Sequence, residues 1–438
     1  MYRIHVGLDD TDSNQGMCTT YIASLIIDEL HKKNIKFLDY PNLIRLNPNI
    51  PWKTRGNAAI GLRLEYDKPE EIFEICKEII KNNSEAKYKR ADPGLAVLKG
   101  RIPIEIKEVA KQALYKEIKK ASIKKLIKKH KILHYEINSG RGLIGAVSAI
   151  GNSLNKDHTY ELLAYRKLQK TGKRRINSNS IIKMDKLKKF KTFSNIDYET
   201  KRILIVPTGK DPVLFGIRGE SPRLLLKAFN MLKIEEKIER YTIFRTNHGT
   251  NQHIKEKLKL NEIEKYNSGY IIGKVSSKPL YYKGGHMFFH FSDGLNEIKC
   301  AAYEPTKKFR NAANMLEIGD KIKIAGGIHE KTKNNDFVLN LEMLKILKLI
   351  SKKDLQNPFC NSCKKRMKSI GEKKGFECEI CGKVKTNKIK ITTKRTLKKG
   401  IYLPTVSAQR HLTKPLSRYG KEKRKFNTKV LKKFYTVF

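Results

Sequence analysis

Two cysteine pairs, Cys360-x2-Cys363 and Cys378-x2-Cys381, separated by 14 residues, limit the folding of this chain more than any other feature. Four thiolates at that spacing close a tetrahedral zinc site when a short hairpin brings the pairs together, and a filled sulfur shell leaves no position for catalytic water. The expectation is a small, metal-held structural module, with an iron–sulfur cluster as the alternative ligand. Cys76 and Cys300 lie in apolar helical and strand patterns and read as small buried hydrophobes. Such usage fits metal in a reducing compartment rather than a disulfide framework, so a cytoplasmic location is expected. No apolar run approaches a membrane span, and the N-terminus lacks a basic-then-apolar signal pattern.

The module is one part among several, because 438 residues exceed what a single core organises and imply three or four domains. Charge says what the whole serves. Lys and Arg total 92 against 44 Asp and Glu, and the excess is uneven: residues 1–60 hold 7 basic and 6 acidic side chains, residues 351–438 hold 26 and 5. A general compositional bias would spread more evenly, so the rear half points to a polyanion, nucleic acid above all.

Strand and helix patterns alternate through residues 1–155: strands at 2–8, 36–46, 58–66 and 131–136, and helices at 20–33, 69–82, 103–118 and 143–153. That is an α/β layer arrangement. Residues 166–191 carry 11 basic residues and one acid, and read as an exposed basic segment. A β-β-α-β order follows (203–207, 213–218, 222–232, 239–245), suiting a small ferredoxin-like unit. Five strand-like runs at 269–278, 286–292, 296–303, 320–329 and 336–347, with a helix at 307–316 after the third, spell an OB-fold barrel.

The chemistry concentrates near the start, in Gly7-Leu8-Asp9-Asp10-Thr11-Asp12-Ser13. Three acids where a strand ends are poor core material but good ligands for Mg²⁺, which takes one or two carboxylates plus substrate phosphates. Ser13, Thr19 and Thr20 sit where the turn meets a helix N-terminus, a favourable place for phosphate. Two further loops are basic and glycine-bearing. In one, Lys53, Arg55 and Gly56 form a phosphate clamp beside the only Trp, Trp52, or a plain surface turn. In the other, Gly140-Arg141-Gly142 forms a nest of backbone N–H groups with an added cation, or a tight helix start. His158 and Glu161 read as sharing a helix face, and Asp211 as a turn carboxylate able to receive a guanidinium. Tyr281, Tyr282 and Phe289 on the barrel are candidates for base stacking, or core. The acidic turn lacks the glycine and closing Glu of an EF-hand, no Walker A sequence exists, and His134-Tyr135-Glu136 lacks the Pro-Cys-x-x-Cys partner of a deaminase.

Together, Gly7 to Ser13, Gly16-Met17-Cys18-Thr19-Thr20, Arg45-Leu46-Asn47-Pro48, Lys53 to Asn57 and Gly140 to Gly145 resemble archaeal tRNA agmatidine synthetases, also called 2-agmatinylcytidine synthetases. Tyr160 to Arg166, Phe215 to Gly219, Thr246-Asn247, the cysteine quartet and Arg410-His411-Leu412-x2-Pro415-Leu416 extend the similarity over nearly the whole chain. The resemblance implies an enzyme that attaches agmatine to carbon 2 of the wobble cytidine in the CAU anticodon of an isoleucine tRNA while converting ATP to AMP. It implies a multidomain α+β fold: a kinase-like ATP domain at 1–195, a ferredoxin-like domain at 196–264, an OB-fold at 265–349, and a zinc ribbon with a basic tail at 350–438. It further implies that Asp9, Asp10 and Asp12 hold Mg²⁺ and ATP, and that Thr19 is the position phosphorylated. Ser13, Thr20, Lys53, Arg55, Gly56, Arg141 and Gly142 are the phosphate candidates, and Asp211 is the candidate for agmatine. No obligate protein partner is expected. The competing reading is a non-catalytic nucleic-acid binder built on the barrel and ribbon, which has no use for three clustered acids.

Overall fold

The computed structural model describes residues 1–438 except 89–90, 171, 331–336 and 426–428. In chain order the first half holds β1 (Tyr2–Asp9), α1 (Thr19–Lys32), β2 (Lys36–Phe37), β3 (Asn42–Arg45), β4 (Ala58–Tyr66), α2 (Pro69–Asn83), β5 (Gly94–Lys99), α3 (Ile104–Gln112), α4 (Lys120–Lys129), β6 (Leu133–Glu136) and α5 (Gly142–Gly151). Then come β7 (Thr159–Tyr165), α6 (Ser178–Lys186), the short pair β8 (Ile196–Asp197) and β9 (Arg202–Ile203), β10 (Val213–Gly219), α7 (Pro222–Phe229) and β11 (Arg240–Thr246). One sheet runs through both groups in the order β10-β7-β11-β3-β4-β1-β5-β6. The two groups of strands are thus continuous across the parallel β11–β3 seam, where Arg245 and Thr246 pair with Asn42 and Leu43.

Alternation along the strands splits the core. On β5, Leu95 and Val97 join the cluster beneath α1 and α2, whereas Ala96 and Leu98 face α3, α4 and α5. The second face carries a track of glycines. A Cβ on Gly7 would lie 1.9 Å from the Ala146 carbonyl oxygen, and one on Gly94 would lie 2.2 Å from the Gly142 carbonyl carbon. Their absence lets α5 lie directly against β1, which brings its first turn to the carboxylate that ends β1.

Three expectations change here. Residues 159–165 form a strand, not a helix, so His158 and Glu161 do not share a face; all seven residues of β7 are buried, which erases the period a sequence could show. Residues 166–191 do expose nine of their eleven basic side chains, but the segment is anchored rather than unpacked. Within them α6 buries Ile181 and Met184, and Arg166 and Arg174 are buried. The expected strand at 203–207 shrinks to Arg202–Ile203, paired with β8 outside the large sheet.

The second half begins with a closed barrel of β12 (Ser268–Val275), β14 (Met287–Ser292), β15 (Glu297–Ala302), β16 (Lys321–Glu330) and β17 (Phe337–Lys348), with the short β13 (Leu280–Tyr281) beside β14 and α8 (Lys308–Asn314) between β15 and β16. Pairing runs β12-β14-β15-β17-β16 and back to β12, the five-strand closure of an OB-fold. The cysteine module follows: β18 (Lys352–Gln356) pairs with β22 (Ile389–Thr393), bracketing the small sheet of β19 (Lys368–Ser369), β20 (Phe376–Glu377) and β21 (Val384–Lys385).

The stretch after the module does not hang free. First β23 (Gly400–Tyr402) pairs with β17. Asp197 then accepts hydrogen bonds from Thr405 Oγ1 at 2.8 Å and Ser407 N at 2.9 Å. Buried Arg418 meets Asp157 at 2.8 Å and also pairs with Glu220. Finally β24 (Tyr435–Val437) adds to β11, with Phe434 buried beneath it. The sequence ends where it began, on the large sheet.

Candidate active site

β1 delivers Asp9 to the sheet's end, and the chain then turns sharply, with Asp10 at φ 57° and Met17 at φ 59°. Asp10 N donates to Asp9 Oδ1 at 2.7 Å, Ser13 N donates to the Gly16 carbonyl at 3.2 Å, and α1 starts at Thr19. Thr11 Oγ1 donates to Thr19 Oγ1 at 3.1 Å, tying the turn to the first helical residue. Asp9 fits only because Gly145 has no side chain: a Cβ there would stand 1.7 Å from Asp9 Oδ2.

The acids have little positive company. Burial, reinforced by Asp12, raises Asp9 to about 7; burial, then Asp9, Asp12 and Asp92, raises Asp10 to about 8. Burial also raises Asp12, against Arg55 at 3.4 Å and a 3.2 Å hydrogen bond from Thr54. Clustered carboxylates that resist ionisation alone are a hard-oxygen donor set, and that chemistry fits Mg²⁺.

Around the turn lies a cavity of about 260 Å³. Asp9, Asp10, Asp12, Thr19, Thr20, Lys53, Arg55, Gly56, Arg141, Gly142 and Asp211 all line it. Ser13 lies outside the lining, its hydroxyl 3.5 Å from Glu85. Arg141 stacks over Trp52 at 3.9 Å, so the single Trp, 44 % exposed, is a wall of the cavity rather than core. Lys53 donates to the Ile50 carbonyl at 2.9 Å. Arg55 braces the acidic turn, donating to Met17 O at 2.9 Å and Ser13 O at 3.1 Å and standing 3.8 Å from Asp211. Asp211 in turn is 3.2 Å from Arg174, whose guanidinium also holds the carbonyls of Val213, Pro207 and Gly209. Arg174 is therefore structural, a role that its setting in a run of lysines and arginines hid.

The sequence singled out Glu161, but as a helix-face partner of His158; what it did not reveal is the cluster of arginines and histidine gathered around it. Fully buried Glu161 receives Arg218 Nε at 3.0 Å, Arg45 at 3.5 Å and His248 at 3.5 Å. Burial works against its ionisation, but Arg218, His248 and Arg45 hold it well below the usual range. Burial and then Arg218 lower His248 to about 4; Arg45, then burial, press His411 well below its ordinary value. His411 comes from the returning C-terminal segment and also lines an adjoining cavity of about 270 Å³ with Lys53 and Arg410. The cavity lining thus combines carboxylates (Asp9, Asp10, Asp12, Glu161, Asp211) with guanidiniums (Arg45, Arg55, Arg141, Arg218). Glu161 and Arg218 stand opposite each other in the β7–β10 pairing, a cue invisible without the register.

Outside the lining of this cavity, the four Sγ atoms of Cys360, Cys363, Cys378 and Cys381 lie within 4.8 Å of one another, a quartet that fits tetrahedral zinc. On the barrel, Tyr281 and Tyr282 are exposed and carry Arg310 and Lys299 near their rings, whereas Phe289 is buried core. Cys76 and Cys300 are buried, as expected.

Comparison with known proteins agrees with this architecture. The family model described as the TiaS TCKD domain matches residues 5–139, the TiaS FLD domain 140–253, and the TiaS C-terminal zinc ribbon domain 357–397. The isoleucine-tRNA 2-agmatinylcytidine synthetase TiaS of Pyrococcus horikoshii is 40% identical, covering 94% of this chain and 96% of its own. The solved complex of a TiaS with its isoleucine tRNA and ATP superposes with a TM-score of 0.85 at 36% identity, over 95% of this chain and 98% of its own. A complex of TiaS with the same kind of tRNA, AMPCPP and agmatine gives 0.82 at 34%, over 95% and 98%.

Proposed function

The chain belongs to the TiaS family of isoleucine-tRNA 2-agmatinylcytidine synthetases, and from that premise we infer that the cavity around the acidic turn is where its ATP-dependent chemistry takes place. The enzyme is a tRNA-modifying ligase: it joins agmatine to carbon 2 of the wobble cytidine of the CAU-anticodon isoleucine tRNA, with ATP converted to AMP and phosphate. The observation that carries the placement is that one cavity gathers three desolvated aspartates, a helix-start threonine and several cations. A non-catalytic binder would have no use for such a set.

The chemistry follows from the parts. A cytosine carbonyl oxygen is a poor leaving group, so phosphorylating it first lets an amine displace it. Positioning and charge neutralisation then dominate. Asp9, Asp10 and Asp12 would hold Mg²⁺, which when bound neutralises phosphate oxygens and orients them. Thr19, with its hydroxyl engaged by that of buried Thr11, is the proposed phosphoryl acceptor. Lys53, Arg55 and Arg141, with the backbone at Gly56 and Gly142, supply charge and N–H groups to phosphate, and Thr20 adds a hydroxyl. Ser13 shapes the turn from outside the cavity. Asp211 offers a carboxylate to agmatine's guanidinium while the primary amine attacks carbon 2. Trp52 and Arg141 provide a flat face on which a base can stack.

The four units proposed, 1–195, 196–264, 265–349 and 350–438, divide the labour. The first two hold the reaction; the barrel and ribbon grip RNA through phosphates, which set position rather than base identity. A thiolate zinc site and a tRNA substrate support a cytoplasmic location. Among the described residues no helix is long and apolar enough to cross a membrane.

The test is ATP turnover with the CAU-anticodon tRNA and agmatine, read as AMP release and a mass increase on the wobble cytidine. Asp12→Asn should reduce turnover by at least about 100-fold and leave tRNA affinity within about twofold. Equal loss of both would make the acid structural, and absence of AMP from the unmodified chain would sink the reading.

A further inference from the structure

The loop that carries Trp52, Lys53, Thr54 and Arg55 into the cavity leaves β3 at Arg45 and rejoins the sheet at Ala58. Its first turn is not held by the catalytic sheet alone. Asn47 is wholly buried; its Nδ2 donates to the Tyr266 carbonyl at 2.8 Å, and its Oδ1 accepts from Ser268 Oγ at 3.0 Å. Asn49 Nδ2 donates to that same hydroxyl at 2.7 Å, and its backbone N–H returns to Asn47 Oδ1 at 3.1 Å. His329 of β16 approaches Asn49 Oδ1 at 3.3 Å. Ser268 opens the first barrel strand and Tyr266 shortly precedes it, so every outside partner of the two amides belongs to the barrel or its entry.

The fit is close as well as polar. Gly327 of β16 lies so near Asn49 that a Cβ there would stand 2.0 Å from Asn49 Nδ2 and 2.3 Å from its Cγ. The ring of Tyr266 meets Trp52 edge-on at 5.9 Å, so the seam continues to the cavity wall. A buried amide stripped of such partners costs about 1–3 kcal/mol, so the seam has one favoured arrangement. A short run of chain then leads from Asn49 to Arg55, which braces the turn bearing Asp12.

We propose that Asn47 and Asn49 are positioning residues for the reaction, and that the OB barrel, through Ser268 and Gly327, sets the site loop and with it the acidic turn. The barrel is then part of the catalytic apparatus as well as a grip on RNA. The inference rests on the cavity being the reaction site. It adds that a change of barrel seating reaches the aspartates through one short loop.

The test uses the full chain with Asn49→Ala, Gly327→Ala and the double variant. Trp52, the only Trp, reports the loop directly by its emission. Asn49→Ala should lower kcat for AMP formation about 10-fold and Gly327→Ala about 100-fold, since an ångström of misplacement costs that much. Trp52 emission should shift in both variants, and tRNA affinity and zinc content should stay within about twofold of the unmodified chain. The double variant should match Asn49→Ala alone, because removing the amide removes the clash. If Gly327→Ala fails to fold, Asn49→Ala and Ser268→Ala carry the same prediction. Folded variants with unchanged kcat, or with kcat falling only in proportion to weakened tRNA binding, would overturn the proposal. Should the unmodified chain form no AMP, the functional reading fails by itself, and Trp52 emission still decides whether the barrel sets the loop: unchanged emission overturns it, shifted emission supports it.

Discussion

At the scale of single residues, the site depends on side chains that are absent. Gly142 and Gly145 both face the end of β1, but they do different work. A Cβ on Gly142 would meet backbone, at 2.5 Å from Asp92 O and 2.6 Å from Gly94 N, and backbone in a packed sheet yields only with the fold. A Cβ on Gly145 would meet chiefly the Asp9 carboxylate, at 1.7 Å from Oδ2, which swings aside on its own torsions, and the Asp9 Cβ at 2.8 Å, which a shift of a few tenths of an ångström relieves. Gly145→Ala should therefore leave the melting temperature within a few degrees of the parent while reducing AMP formation about 100-fold. Gly142→Ala should lower stability first. Thermal melts and turnover measured on the two variants separate the effects; a fully active Gly145→Ala would show that Asp9 need not stand where it does.

At the scale of elements, the cysteine module makes an independent prediction, because its quartet lies outside the cavity lining and is surrounded by lysines. Cys378→Ser should release zinc, lower tRNA affinity and flatten its dependence on log salt by roughly 0.7–0.9 for each phosphate the module no longer neutralises; unchanged zinc content would refute the quartet. The elements also show what a sequence displays and what it hides. The acidic turn between β1 and α1, the five barrel strands with α8, and the paired cysteines were legible because each carries its signal locally: a periodicity, a turn or a spacing. β7 was not, because Thr159–Tyr165 is buried on both faces and shows no alternation. Arg174 looked like a surface charge because its partners, the carbonyls at 207–213, lie some 35 residues away and become neighbours only in the fold. The partners of Glu161 were hidden for the same reason, since Arg45, Arg218 and His248 meet it only in the fold. Eleven of the twelve residues singled out for catalysis, ATP or agmatine line the cavity around the acidic turn, together with Arg45, Glu161 and Arg218, which three separate strands supply.

At the scale of the whole molecule, the returning C-terminal segment closes the structure, and its junction with β7 has a built-in response to acid. Asp157, at that junction, accepts Arg418 at 2.8 Å and the Lys423 backbone N–H at 3.1 Å. Beside it, the carbonyl of His158 accepts Lys423 Nζ at 2.8 Å. Burial, followed by the charges of Lys423 and Arg245, lowers His158 to about 4. In the unfolded chain the same imidazole titrates near 6.5, so between those values the unfolded state binds the extra proton. The contribution of neutral His158 is accordingly complete above about pH 6.5 and is lost as pH falls through about 4, to a total of about 3 kcal/mol. Other groups titrate in this range, so the measurement is a difference. Urea unfolding of the unmodified chain and of His158→Gln, compared at about pH 7, 6, 5 and 4, should show the variant gaining on its parent by about 1 kcal/mol per pH unit below 6.5. Hydrogen exchange in residues 404–425 should accelerate over the same interval in the parent and less in the variant, since a charged imidazole beside Lys423 and Arg245 repels the segment that seats His411 against the cavity. Parallel stability curves would mean that the imidazole takes up its proton at the same pH folded and unfolded, and that the closure of the chain upon itself is indifferent to acid.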